Sequence, residues 1–257
     1  MDGAGTLTRR NVRAIAVMAL IFGSVTAAVS MAPAADVTDV LARMRKAAEP
    51  GKDMRATAVF TITNERGDTV KWTGQFYRKT GADSRARLVF DDPVDLRGTE
   101  VTITRAPDGT TKTRLYLPSL RRTRLLDADT RGESFLGTDF NYEDLGFQQI
   151  DTQQLRLDET KDPTCYHVES VPSTGWWYGR IDRCIDTTDF LPRRTEYYDR
   201  DGVLWKVRTL DGVKKIDGHP TATVITMQTI PQHTSTTITL SDVRYDTGVP
   251  DSMFPER

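Results

Sequence analysis

Apolar and polar residues alternate along most of this chain with a period of two. Met54, Ala56, Ala58, Phe60 and Ile62 alternate with Arg55, Thr57, Val59, Thr61 and Thr63. After a turn at Asn64 to Asp68, Val70, Trp72, Gly74 and Phe76 alternate with Lys71, Thr73 and Gln75. Side chains of a strand point to opposite faces in turn, so such runs predict half-buried strands. Further runs follow at about 84–91, 99–106 and 110–117, the last two joined by Pro107-Asp108-Gly109. After a break they resume near 153–160, 164–171, 176–186, 191–199, 203–210, 221–230 and 234–245. The pattern predicts about eleven strands in one antiparallel meander, with one wet face.

Two segments depart from that period. Val37, Val40, Leu41 and Met44 recur at helical spacing after the capping residue Asp36, and Pro50-Gly51 ends the run, which predicts a short amphipathic helix over 36–48. Ser119 to Gly146 is a long mixed insertion. It carries Arg121, Arg122 and Arg124, then Phe135, Leu136, Phe140, Tyr142 and Leu145 among glycines. Loops of that length in compact domains are usually functional or disordered, and the aromatic residues argue against disorder.

The first thirty-five residues read as an address. Arg9, Arg10 and Arg13 precede an apolar run from Ala14 to Val29, and Ala32-Pro33-Ala34-Ala35 supplies small residues for cleavage. This is the layout of a secretory signal. The alternative, a membrane anchor, needs roughly 20 apolar residues, more than this interrupted run supplies. Residues 1–35 are therefore expected to be a signal peptide and residues 36–257 the mature domain, located in the periplasm. Removing the leader takes away three arginines and Asp2 and leaves 32 basic against 35 acidic side chains.

Export gives the two cysteines a partner. Cys165 to Val171 and Trp177 to Ile185 read as strands around the turn residues Pro172-Ser173-Thr174-Gly175. With Thr174 and Gly175 at the hairpin centre, Cys165 faces Cys184, and a cross-strand disulfide is expected; two buried free thiols are the alternative.

Composition excludes more than it suggests. The chain has 35 basic and 36 acidic residues, which removes the electrostatic argument for nucleic acid. Three histidines and two cysteines, scattered, make no metal framework, so no metal and no cofactor is expected. No nucleophile–base motif stands out, and His167 lies in the middle of a strand, so the reading is not of an enzyme. The 36 threonines suit sheets with a wet face. What stands out is a large apolar sheet face with few elements to cover it. Such a sheet either closes over its own side chains or curves around a ligand cavity.

Several blocks carry a family resemblance: Arg87-Leu88-Val89-Phe90-Asp91-Asp92-Pro93-Val94-Asp95-Leu96-Arg97-Gly98-Thr99, Leu115-Tyr116-Leu117-Pro118-Ser119-Leu120-Arg121-Arg122-Thr123-Arg124, Ser134-Phe135-Leu136-Gly137-Thr138-Asp139-Phe140-Asn141-Tyr142-Glu143-Asp144-Leu145 and Glu196-Tyr197-Tyr198-Asp199-Arg200-Asp201-Gly202, followed by Val249-Pro250-Asp251-Ser252-Met253-Phe254. Over about residues 37–254 the chain resembles the outer-membrane lipoprotein-sorting proteins, the LolA-like group associated with RND-type exporters. The resemblance implies a mainly β fold: a curved antiparallel sheet forming a half-open barrel, covered by the N-terminal helix and a central lid. It implies a carrier of lipoprotein or lipid acyl chains between envelope membranes, partnered by an RND-type exporter and touching membranes only transiently. An envelope sensor acting through a protein partner, or a lipid-processing enzyme, are the other readings. Ala58, Phe60, Ile62, Trp72 and Phe76 are the cavity candidates; one register error would turn them all outward. Leu120, Arg121, Arg122, Phe135, Phe140, Tyr142 and Leu145 are the lid candidates, with the arginines either meeting an anion or forming a solvated edge.

Overall fold

A computed structural model describes residues 1, 36–126, 132–142, 144–145, 152–158, 162–173 and 177–255. The expected signal peptide and the expected hairpin centre at Thr174-Gly175 lie outside these residues. The compact unit described below falls within Ala35–Arg257.

It opens with one helix, α1 (Val37–Ala48). The Asp36 carboxylate accepts from the Thr38 amide at 2.9 Å, satisfying one of the donors a helix start leaves free. Val40 and Leu41 are buried against Val168 and Ile185.

Among the described residues then come fifteen strands: β1 (Asp53–Thr63), β2 (Thr69–Lys79), β3 (Ser84–Asp92), β4 (Glu100–Arg105), β5 (Thr111–Leu117), β6 (Arg122–Leu126), β7 (Thr152–Asp158), β8 (Cys165–Pro172), β9 (Arg180–Asp186), β10 (Pro192–Tyr198), β11 (Leu204–Asp211), β12 (Lys214–Ile216), β13 (His219–Thr221), β14 (Val224–Thr229) and β15 (Thr234–Tyr245). Thirteen form one antiparallel sheet in the order β6-β5-β4-β3-β2-β1-β15-β14-β11-β10-β9-β8-β7, and β12 and β13 form a separate ribbon. The fold is mainly β with an open antiparallel sheet, as the alternation predicts.

That order has a consequence. Two meanders run outward from the β1–β15 seam, one ending at the edge strand β6 and the other at β7. The connection from β6 to β7 must therefore pass between opposite edges of the sheet. Buried residues of β1, β3, β4, β5, β9, β10, β14 and β15 share one apolar cluster. Strands so far apart in the order can meet only if the sheet curls around that face. Two local features favour the bend: register shifts at Arg55/Thr57 and Thr73/Gly74, and the lack of a side chain at Gly74, where a Cβ would sit 2.6 Å from the Val89 carbonyl oxygen.

The strand count exceeds the expected eleven. Arg122 to Leu126, assigned to the lid by its charges, is strand β6 and pairs with β5. Four of its five side chains are exposed, and charge at a sheet edge guards against pairing with other chains. The ribbon at Lys214 to Thr221 is the other addition.

The disulfide Cys165–Cys184 is present, with Cα atoms 5.2 Å apart. The register differs from the expected one by two residues: His167 faces Cys184, and Cys165 faces Asp186. The two cysteines are diagonal neighbours on the outer face. A shift of two keeps every side chain on its face, which is why the pairing survives the error.

Removing both cysteines tests what the cross-link contributes. Closing a loop of this length is expected to stabilise by about 3 kcal/mol. Urea unfolding of Cys165→Ser/Cys184→Ser beside the oxidised parent measures the difference; superimposed curves would refute it.

Candidate functional site

The inner face of the sheet is built row by row. Ala58, Phe60 and Ile62 of β1 lie opposite Gly74, Trp72 and Val70 of β2, and Phe76 lies opposite Ala56. Across the seam, Leu240 and Ile238 of β15 face Ala58 and Phe60. Leu88 and Ala86 of β3 continue to Val101 and Ile103 of β4. All five cavity candidates thus share one face and one apolar cluster, Ala58 and Phe60 buried and Ile62, Trp72 and Phe76 half-buried.

The central segment fills one end of this face. The chain turns at Phe135 to Thr138, with the Thr138 amide donating to the Phe135 carbonyl at 2.9 Å. Leu136 and Gly137 both have positive φ, 50° and 86°, the geometry of a type I′ turn. Phe135 is fully buried, 6.3 Å from Phe60, 6.1 Å from Phe90 and 5.3 Å from Tyr142 between ring centres. Trp72 and Phe90 complete this aromatic plug at 5.7 Å.

Asp139 fastens the segment down. Its carboxylate accepts from Thr229 at 2.5 Å, Thr236 at 2.7 Å and Thr234. Its amide donates to the Thr236 hydroxyl at 3.0 Å, and its carbonyl accepts from the Lys206 ammonium at 2.6 Å. Asn141, fully buried, donates its amide to Asp144 at 2.9 Å and its side-chain nitrogen to the Tyr178 hydroxyl at 3.0 Å. Burial pushes the Asp144 carboxyl above its ordinary range, opposed by the nearby Lys206 and Arg208 charges. Burial likewise lowers the Lys206 ammonium.

Beside this plug is a cavity of about 360 Å³, within the range of ligand sites. Its floor includes Ala58, Phe60, Phe76, Leu88 and Ile238. Leu41 and Met44 of α1 roof it, and Phe140 and Leu145 close the side. The Arg78 guanidinium holds the roof by donating to the carbonyls of Ala48, at 3.1 Å, and Pro50. Arg105 pairs with Glu49 at 3.0 Å. Positive charge at a helix C-terminus is favourable.

The expected site residues therefore divide. Ala58, Phe60, Phe76, Phe140 and Leu145 border the cavity. Ile62 and Trp72 pack on the same core, and Phe135 and Tyr142 belong to the plug. Leu120, Arg121 and Arg122 are exposed at the β5–β6 turn, on the chain's way to the edge strand. The cavity also holds groups that the sequence reading passed over: Leu41 and Met44, and the polar set Ser170, Arg183 and Arg208. Arg183 could have been found by parity, since it alternates with Ile181 and Ile185 on the inward face. Burial lowers its guanidinium to about 10. On the outer face Asp162, Cys165 and His167 lie close together, but a sulfur bonded to Cys184 is not a thiolate ligand.

A curved open sheet with a helix and a central segment over its apolar face defines a LolA-like half-barrel. Three solved structures share it. A DUF1329 family protein from Desulfovibrio piger has a TM-score of 0.74 and 26% identity, covering 86% of this chain and 96% of its own. A domain named for outer membrane lipoprotein sorting, from Vibrio parahaemolyticus, has a TM-score of 0.75 and 24% identity over 86% and 98%. A LolA superfamily protein from Nitrosomonas europaea has a TM-score of 0.68 and 16% identity over 87% and 99%. No curated protein matches the sequence. A family model described as "uncharacterized protein" matches residues 82–257, more than half of the chain. The chain belongs to this family, the DUF1329 family.

Two predictions follow from the anchor. Asp139→Ala leaves the buried hydroxyls of Thr229 and Thr236 and the half-buried one of Thr234 without their acceptor and is expected to destabilise by about 3 kcal/mol or more. Hydrogen exchange should rise first in 132–142; unchanged protection there would refute the anchoring role. Asp144 supplies the second. A carboxyl whose pKa is raised on folding contributes stability below its ordinary value, and that contribution fades as pH climbs through the raised one. Asp144→Asn should therefore gain stability relative to the parent as pH rises from the ordinary carboxylate value, about 4, through the raised one. Unfolding curves across that range read the trend; a constant difference would contradict it.

Proposed function

We propose that this protein is a periplasmic, non-enzymatic carrier that holds acyl chains of lipoproteins or lipids in the inner-face cavity and moves them between envelope membranes. The observation that carries this reading is the apolar cavity of about 360 Å³ between α1, the central segment and the sheet. The likeness to a domain named for outer membrane lipoprotein sorting and to a LolA superfamily protein supports it. In this reading residues 1–35 are the removed signal, residues 36–257 are the carrier domain, and the partner that loads or receives the chains is an RND-type exporter.

The energetics suit a carrier. Each buried methylene contributes about 0.8 kcal/mol, so about a dozen would give about 10 kcal/mol before the cost of association. Such binding is firm and still reversible. Entry needs α1 or the central segment to yield. α1 is the better candidate, because it is held by its C-terminal clamp and a small apolar cluster, whereas the central segment is pinned by charge.

Native mass spectrometry of the mature protein taken from its own envelope tests the reading. A bound lipid or acylated polypeptide is expected, and an empty cavity in every preparation would overturn it. Ala58→Phe places a ring in the cavity and should reduce bound lipid by about tenfold while the protein stays folded, overpacking costing about 1–3 kcal/mol.

A further inference from the structure

The cavity is apolar along its floor and basic at one end. Three strands build that end. Thr195 of β10 faces Arg183 of β9 on one side and Arg208 of β11 on the other. Neighbouring strands lie about 4.8 Å apart, so the two arginines stand about 10 Å apart at their backbones with a threonine between. Arg45, on the last turn of α1, borders the same cavity from above, and Ser170 of β8 borders it beside Arg183.

These groups are poorly satisfied within the protein. Arg183 is 7% exposed and donates to the Ser170 hydroxyl at 2.8 Å, a neutral acceptor. Among the described residues no carboxylate pairs with Arg45, Arg183 or Arg208. The Nε of Arg208 is buried without a partner, and so is the hydroxyl of Thr195, which is fully buried. Lys206 donates to the Asp139 carbonyl and Arg78 to the helix carbonyls, the Arg78 Nε also being buried without a partner. Of the acids nearby, Asp144 borders the same cavity and interacts with the Arg208 charge, and Asp182 adjoins Arg183 along β9. Asp144 accepts from Asn141 and Tyr178, and Asp182 pairs with Arg180 on the outer face.

Buried donors without acceptors are costly, and two guanidinium groups at this spacing match a carboxylate or a phosphate. We propose that Arg183 and Arg208, with Ser170 and capped by Arg45, form a headgroup site for an anionic amphiphile whose chain lies along Phe60, Phe76 and Leu88. This rests on the carrier reading and narrows it. The preferred cargo is a single- or double-chain lipid ending in a carboxylate or phosphate, rather than the uncharged acylated end of a polypeptide.

The test compares four probes on the delipidated mature protein: palmitate, lysophosphatidate with a palmitoyl chain, hexadecanol and inorganic phosphate. Both anionic lipids are expected to bind about tenfold or more tightly than hexadecanol. Arg183→Met/Arg208→Met should bring both anionic lipids to the level of the alcohol, with hexadecanol affinity unchanged and serving as the check that the cavity is intact. Arg208→Met alone, at the less buried arginine, provides the same reading if the double variant fails to fold. The difference between palmitate and lysophosphatidate tells which anion the site prefers. Equal binding of charged and neutral chains, insensitive to the arginines, would overturn the headgroup site and leave the carrier reading standing. Inorganic phosphate binding as tightly as the lipids would overturn the amphiphile. Failure of every chain to bind would sink both.

Discussion

A single carboxylate fixes the segment that makes this sheet a container. The strand order places the start and end of the β6–β7 connection on opposite edges, so that connection has to traverse the open side. An unanchored traverse would leave the inner face wet. Asp139 binds it instead to β14 and β15 through Thr229, Thr234 and Thr236, with Lys206 of β11 holding the adjoining carbonyl. Buried charge-assisted bonds of this kind are strong because the alternative, an unpaired carboxylate out of water, is so unfavourable. Once Asp139 is placed, the turn before it delivers Phe135 to the aromatic plug, and Phe140 falls at the cavity wall. The plug stops the sheet from collapsing on itself, and the space left between plug and helix is the cavity.

The two covers are held by different physics. The central segment is fixed by charge and by a fully buried ring. The helix rests on four buried apolar residues, two of them its own, and on a clamp at its C-terminal turn by Arg78 and the Glu49–Arg105 pair. Local stability follows buried contacts, so opening belongs to the helix side. The same geometry brings Arg45 over the basic end of the cavity, so motion of the helix and exposure of that end are coupled.

The sequence made some of this legible and hid the rest for identifiable reasons. Strict alternation in Met54 to Phe76 placed Ala58, Phe60, Ile62, Trp72 and Phe76 on one face, because a period of two leaves no other arrangement. Helical spacing found α1. Arg122 and Arg124 looked like lid chemistry because charge suggests a loop, yet edge strands carry charge too. The hairpin around the disulfide was off by two residues, since turn composition does not fix loop length, and parity protected the pairing. The threonine excess read as a wet outer face; Thr229 and Thr236 belong inside, as ligands of Asp139. Arg183 was passed over because an isolated arginine between isoleucines looks like noise until the neighbouring strands are known.

The sheet also separates charge across its thickness. On the outer face of β8, β9 and β10, Glu169, Asp182 and Glu196 stand side by side in one row. One residue away along β9, and on the inner face, Arg183 begins the basic row. The outer acids are not idle neighbours: Asp182 favours the charged form of Arg183 through the sheet, while burial and the flanking Glu169 and Glu196 raise the Asp182 carboxyl itself. Burial still dominates at Arg183 and lowers its guanidinium to about 10, with Tyr197 ahead of Asp182 among the groups that oppose it. With 35 basic against 36 acidic residues, the molecule has little net attraction for an anionic membrane surface. On the outer face Asp182 and Glu196 are paired with Arg180 and Arg194, while Arg183 and Arg208 border the cavity within. Under the proposed headgroup site, a lipid anion meets these arginines inside the cavity and not on the outer surface.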